Sequence, residues 1–284
     1  MSIIAFVGSV FSPYYRWARR GERITTVDPE DHCALNVALY GDAGKRWTMT
    51  ERARRHMRRS SREFTIGPSG LSWDDDALTI RIDERGMPLP HAVRGIVRVH
   101  PSALCTYSTA LDDGGRHRWG PLAAVSEVEV EFTQPQMRWR GHAYFDSNEG
   151  DEPVDRAFIE WDWARAPLKD GRTAVVYDVR QASGIDRVLA LRFAPDGSVS
   201  SFQAPPRRPL PRTLWRMNPS MRSDENARLA RRQVLEDTPF YARALLEAQL
   251  AGEPVLAMHE TLDVRRLRMP LVQALLPWRM PRRA

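Results

Sequence analysis

The stretch SEVEVEFTQPQMRWRGHAYFD, residues 126–146, decides how the rest of the chain is read. Its two runs, VEVEF and MRWRGHAYFD, flank QPQ, a turn signal, and so predict consecutive strands. Strand side chains alternate between two faces, which places His142, Tyr144 and Asp146 on one side and Ala143 and Phe145 on the other. Three proton-capable groups in a row do not suit an apolar core. They suit the wall of a pocket.

N-terminal to this pair, LTIRID (78–83) and VRGIVRVH (93–100) extend the strand series, with PSG (68–70) and DDGGR (112–116) as turns. That rhythm predicts an antiparallel barrel or sandwich. A charged, aromatic connection covers residues 151–172. A second series comes after it in TAVVYDVRQ (173–181), RVLALRFAPDGSVSSF (187–202, a hairpin turning at PDG) and RTLWRM (212–217). The reading is therefore two domains, 1–168 and 169–284.

Two segments are less regular. TMTERARRHMRR (48–59) has Thr48 and Glu51 at capping-box spacing and predicts a short Arg-faced helix. TPFYARALLEAQLAGEPVLAMHETLD (238–263) is helical by its Ala and Leu content, yet AGEP could equally turn a hairpin. The C-terminal stretch mixes apolar residues with Arg, the composition of an interfacial segment.

Composition narrows the class. Apolar residues make up 42% and charged residues 27% of 284 residues, enough for real cores in a globular chain. Nine Trp favour an aromatic-lined cavity. A net charge of +6 points to an anionic partner, although Lys45 and Lys169 are the two lysines and every other basic residue is Arg, a bias that codon usage also produces. Cys33 and Cys105 form no disulfide framework or metal cluster, which fits a reducing compartment. The sequence carries neither a signal-peptide pattern nor an apolar run long enough to span a bilayer.

Motifs exclude more than they assign. DSNEGDE (146–152) resembles a calcium loop but has Asp151 where glycine is required. Nucleotide loops, the zinc-protease motif and the nucleophile elbow are absent, and the Arg clusters lack a nucleic-acid recognition module. GRHRWG (115–120) puts His117 and Trp119 on one face, and EWDWAR (160–165) does the same for Trp161 and Trp163. His32 and His259 each stand beside an apolar strand, where lone histidines usually serve structure.

Taken together, IAFVGSVFSPYY (4–15), DHCALNVALYG (31–41), GRHRW (115–119), GHAYFDSNEGDEP (141–153), WDWARA (161–166), LEDTPFYAR (235–243) and HETLDV (259–264) resemble the carotenoid 1,2-hydratases, also called hydroxyneurosporene synthases. The resemblance implies an all-β-dominated fold of two lipocalin-like antiparallel β-barrel domains with a few short helices. It tips residues 239–264 toward a hairpin. It also implies cofactor-free, acid-catalysed addition of water to the C1=C2 bond of an acyclic carotenoid such as neurosporene or lycopene. The family's H-x-W and Y-x-D pairs fall on His117 and Trp119, and on Tyr144 and Asp146. Asp146 is then the proton donor, with His142, Trp161, Trp163 and His259 as substrate-binding candidates and no metal or other cofactor. A polyene cyclase-type enzyme of the same architecture and a carotenoid or lipid carrier are the alternatives. A lipid-borne substrate implies a peripheral protein on the cytoplasmic side of the membrane. It would dock on anionic lipid through Arg54, Arg55, Arg58, Arg59 and the tail, within reach of other carotenoid-pathway enzymes.

Overall fold

The computed structural model describes residues 1–21, 27–41, 45–225 and 227–283. Strand accounts for 55% and helix for 12%, so the all-β expectation holds. The chain clusters into two units. One comprises 1–101, 127–142 and 270–284; the other comprises 102–126 and 143–269. This differs from the sequential 1–168 and 169–284 split. The strand Phe158–Pro167 hydrogen-bonds to both Thr173–Gln181 and Glu253–Asp263 and so belongs with the C-terminal strands. The long strands His117–Gln134 and Gln136–Gly150 each contribute residues to both units.

In the first unit, Ser2–Val7, Cys33–Leu39 and Arg46–Arg52 form a sheet that Arg282–Arg283 joins in parallel. The helix expected over 48–59 is therefore mostly strand. Seven backbone pairs with Cys33–Leu39 outweigh a local capping signal, and the remainder is one 3-10 turn at Arg54–His56. Leu78–Arg85 and Ala92–Pro101 alternate buried and less buried positions, as a sheet with one core face requires. Two helices, Pro13–Gly21 and Pro270–Arg279, complete this unit. Among the described residues, no helix is long and apolar enough to cross a membrane.

The second unit is built on a seven-stranded antiparallel sheet. Its order is Val199–Ser201, Arg187–Phe193, Thr173–Gln181, Phe158–Pro167, Glu253–Asp263, Tyr241–Leu250 and Ala230–Asp237. The 238–263 segment is thus a hairpin, turned at Ala251 and Gly252, both with positive φ. Residues 212–217, expected as a strand, are mostly loop between the short strands Arg207–Pro209 and Ser220–Arg222. One sheet face packs Ala164, Ala166, Val176 and Leu246 into an apolar core with Met221 and Leu210 of this small hairpin. Trp163 and Tyr177, directly paired, lie on the other face. Both large sheets are open paths, and no closed barrel forms among the described residues.

One close approach tests the packing of the first unit. A Cβ on Gly95 would lie 2.5 Å from Phe132 Cγ and 2.6 Å from the Glu131 carbonyl oxygen, so even one methyl collides with a neighbouring strand. Gly95→Ala should lose about 1–3 kcal/mol and several degrees of melting temperature in calorimetry. An unchanged melting temperature would mean that the strands separate at no cost.

Candidate active site

Asp146 stands on the edge strand Gln136–Gly150, two residues beyond Tyr144, so the strand repeat delivers both to one side. The Trp119 indole Nε1–H donates to Asp146 Oδ2 at 2.8 Å, and the Tyr144 hydroxyl donates to the same oxygen at 3.2 Å. Asp146 Oδ1 has no hydrogen-bond partner among the described residues. The protein therefore holds the carboxyl through one oxygen.

Rings surround it. Trp119 is fully buried and packs edge-on to Tyr177 at 5.6 Å and Phe193 at 6.3 Å between centroids. Tyr107 closes on Trp119 and Phe193, and Tyr144 meets Trp163 at 5.5 Å. Trp161 reaches the cluster through Tyr177 and Phe158. The buried Trp163 Nε1–H has no acceptor among the described residues. The Arg165 guanidinium lies 5.5 Å from the Tyr144 ring centre, and Glu260, one strand over, is tied to Arg243 at 2.8 Å.

This surrounding sets the acidity. Desolvation raises the Asp146 carboxyl, and the Glu260 charge adds to it; the two donated hydrogen bonds and Arg165 pull the other way. The balance rests at about 6. Burial likewise raises the Tyr144 phenol, which therefore remains a donor at neutral pH. At His117, two residues before Trp119, burial lowers the imidazole pKa against the pull of Asp112, Glu152 and Asp151. Its backbone N–H donates to Asp112 Oδ1 at 2.7 Å and its ring packs on Phe158 at 4.7 Å. Its Nε2 has no partner among the described residues. Gly150 is what admits that ring, because a Cβ there would lie 2.7 Å from His117 Nδ1.

Of the sequence candidates, Trp119, Tyr144, Asp146, Trp161 and Trp163 come together, and His117 stands at the margin against Phe158. His142 is exposed and belongs to the other unit. His259 is not brought to the acid. It pairs with Ala164 and Ala244, on the face opposite Trp163. There its Nε2 meets the Ser220 carbonyl oxygen at 2.8 Å, and burial lowers it to about 4, so it is a neutral structural group. Tyr107, Arg165, Tyr177, Phe193 and Glu260 also belong to the site, and no local sequence signal marks them. The register of four paired strands brings Arg165, Tyr177, Phe193 and Glu260 together, and Tyr107 comes from a loop. Among the described residues, no three His, Cys, Asp or Glu side chains converge as metal ligands.

A partly buried acid held through one oxygen, set among rings, can protonate an apolar group and steady the cation that results. Comparison with known proteins places the chain in a family. Residues 3–284 match the family model described as Carotenoid hydratase CrtC. The chain is 60% identical over its whole length to the acyclic carotenoid 1,2-hydratase of Rubrivivax gelatinosus, covering 70% of that protein. It is 50% identical to the enzyme of that name from Thiocapsa roseopersicina, covering 99% of this chain and 69% of that one. For Rhodobacter capsulatus the identity is 40%, over 99% of this chain and 98% of that one. A solved structure from Nitrosomonas europaea, assigned as an AttH, overlays with a TM-score of 0.55 at 13% identity, over 81% of this chain and 85% of that one. At that identity it speaks for the fold alone.

The raised acid also couples to stability. Its folded pKa, about 6, exceeds the ordinary 3.8, so the folded state holds the extra proton. The associated stability is complete below about pH 4 and is lost as pH rises through about 6. Asp146→Asn, which keeps the acceptor and removes the charge, should therefore melt higher than the parent at pH 7.5, by an amount of order 1–3 kcal/mol, and equally at pH 4. Equal melting at both values would mean that the carboxylate costs the fold nothing.

Proposed function

The chain belongs to the carotenoid hydratase family, and on that footing we propose that Asp146 supplies the proton with which it hydrates its substrate. The protein is an acyclic carotenoid 1,2-hydratase, a hydro-lyase. The observation that carries the assignment of the acid is a raised, partly buried carboxyl beside aromatic rings, whose Oδ2 receives hydrogen bonds from Trp119 and Tyr144.

An isolated alkene is a weak base, so the step needs a carboxyl that is still protonated near neutrality. At a pKa of about 6, roughly one molecule in ten is protonated at pH 7, against about one in a thousand for an ordinary aspartate. A bound polyene displaces water and pushes the acid further toward its neutral form. The C1=C2 electron pair takes the Oδ1 proton at C2, leaving a tertiary cation at C1. The faces of Tyr144 and Trp163 stabilise that cation, each by up to about 2 kcal/mol when desolvated, while the fully buried Trp119 acts through its hydrogen bond to the carboxyl. Water oxygen bonds to C1, and its surplus proton passes to the Asp146 carboxylate or to neutral His117. Trp119, Tyr144 and Arg165 hold the carboxylate negative in the interval, a stabilisation spent mostly in the transition state. Trp161 flanks this wall through Tyr177.

The two open antiparallel sheets, in which most neighbours are consecutive strands, support a lipocalin-like description without closure. A forty-carbon hydrocarbon dissolves in the bilayer, so we also propose peripheral docking on the anionic cytoplasmic membrane surface, within reach of other enzymes acting on the same carotenoids. Arg54 and Arg59 are engaged with Asp28 and Glu30, which weakens the case for the 54–59 cluster. The helix Pro270–Arg279 supports docking better, since its Leu271, Leu275 and Trp278 are exposed on one stripe.

The purified enzyme should show kcat/KM falling as pH rises through about 6, tenfold per unit above it, and kcat falling only at higher pH, because the protonated acid is the active form and bound polyene raises it further. Asp146→Asn should lose roughly 10²–10⁴-fold in rate while still binding carotenoid. In heavy-isotope water the product should gain solvent hydrogen at C2 and solvent oxygen at C1. Hydration persisting in the folded Asn variant would remove Asp146 from this role.

A further inference from the structure

The loop Pro211–Asn218 presents to solvent two side chains that an ordinary turn avoids. Leu214 is 91% and Trp215 53% exposed, side by side at the tip. The exposure is built into the backbone. Leu214 N–H donates to Asp237 Oδ2 at 2.7 Å, Arg216 N–H to the Thr213 carbonyl at 2.9 Å, and Met217 N–H to Thr213 Oγ1 at 3.2 Å. From below, the Arg266 guanidinium donates to the carbonyls of Trp215 and Arg216 at 2.8 and 2.9 Å. Thr213 and Met217 are buried and anchor the two ends, and Arg216 takes the left-handed conformation, φ 59°, that closes the turn. The two apolar groups are thus aimed outward by a fixed frame.

Their flanks are basic. Arg212 and Arg216 are exposed on either side, and residues 211–218 contain no acidic side chain. A leucine and an indole at a tip between two guanidinium groups match the layers of an anionic bilayer. The leucine reaches the acyl region, the indole suits the headgroup level, and the arginines meet lipid phosphate. A protein partner fits less well, because a stable interface needs about 800 Å² from each side and two side chains at a tip do not supply it. A lipid surface needs no such complement.

We propose that the Leu214–Trp215 loop inserts into the surface of an anionic lipid bilayer and docks the unit that carries Asp146 where the substrate is dissolved. The proposal rests on the reading of the substrate as an acyclic carotenoid, and adds a defined insertion point independent of the C-terminal helix.

The full chain would be sedimented with phosphatidylglycerol–phosphatidylcholine vesicles and with pure phosphatidylcholine vesicles, at low and physiological salt. The parent should pellet with the anionic vesicles, and L214S/W215S should lose roughly ten- to a hundredfold in partition. R212Q alone should weaken binding on the anionic vesicles and leave the neutral ones unchanged. The double variant should keep its activity on detergent-dispersed carotenoid and lose it on vesicle-embedded carotenoid. Parent binding that the double variant retains would overturn the loop while leaving membrane docking by other surfaces. Parent protein that never pellets, or that self-associates through this loop in analytical ultracentrifugation and loses that with L214S/W215S, would overturn the proposal outright. Absence of hydration by the parent in detergent would count against the assigned reaction and not against the loop.

Discussion

A carboxyl enclosed by aromatic rings is unstable as an anion, and the second unit is arranged around that instability. Desolvation drives Asp146 toward its neutral form, and the hydrogen bonds from Trp119 and Tyr144 stop the drift near pH 6. Fewer donors would leave the carboxyl protonated well above this range; more would leave it ionised. The fully buried position of Trp119 fixes that balance, because an indole packed against Tyr177 and Phe193 cannot turn its N–H elsewhere.

Asp162 shows why a raised pKa by itself does not mark a catalytic acid. It is also raised to about 6, mainly by burial. Its oxygens, however, are both occupied: Thr261 Oγ1 donates to Oδ1 and Ser220 Oγ to Oδ2, each at 2.6 Å. It sits on the core face of the strand whose other face carries Trp161, Trp163 and Arg165. One strand thus carries a hydrogen-bonded acid on its core face and turns its rings toward Asp146 on the other, and the two acids differ in how many of their oxygens accept protein hydrogen bonds.

The same two-faced logic explains His259. In sequence it stands one position from Glu260 and looks equally placed to meet substrate. The pleat sends Glu260 toward the acid and His259 toward the Ser220 carbonyl, where a neutral imidazole is the form that burial favours.

Local sequence determined the parts that depend on short-range repeats. Strand alternation placed Tyr144 with Asp146 and His117 with Trp119, turn residues placed the PDG hairpin, and the rhythm of strands and turns made the protein mostly β. The family resemblance added the acid's role and tipped 239–264 to a hairpin. Interactions distant in sequence decided the rest. Residues 48–52 are strand because Cys33–Leu39 offers them a partner, which no capping pattern reveals. The division into units comes from the pairing of Phe158–Pro167 with strands on both sides of it. Arg165, Tyr177, Phe193 and Glu260 join the site through the register of neighbouring strands. Each carries its chemistry in its own side chain, but its distance from Asp146 is set by backbone hydrogen bonds between segments up to about a hundred residues apart, and short-range repeats hold no record of those.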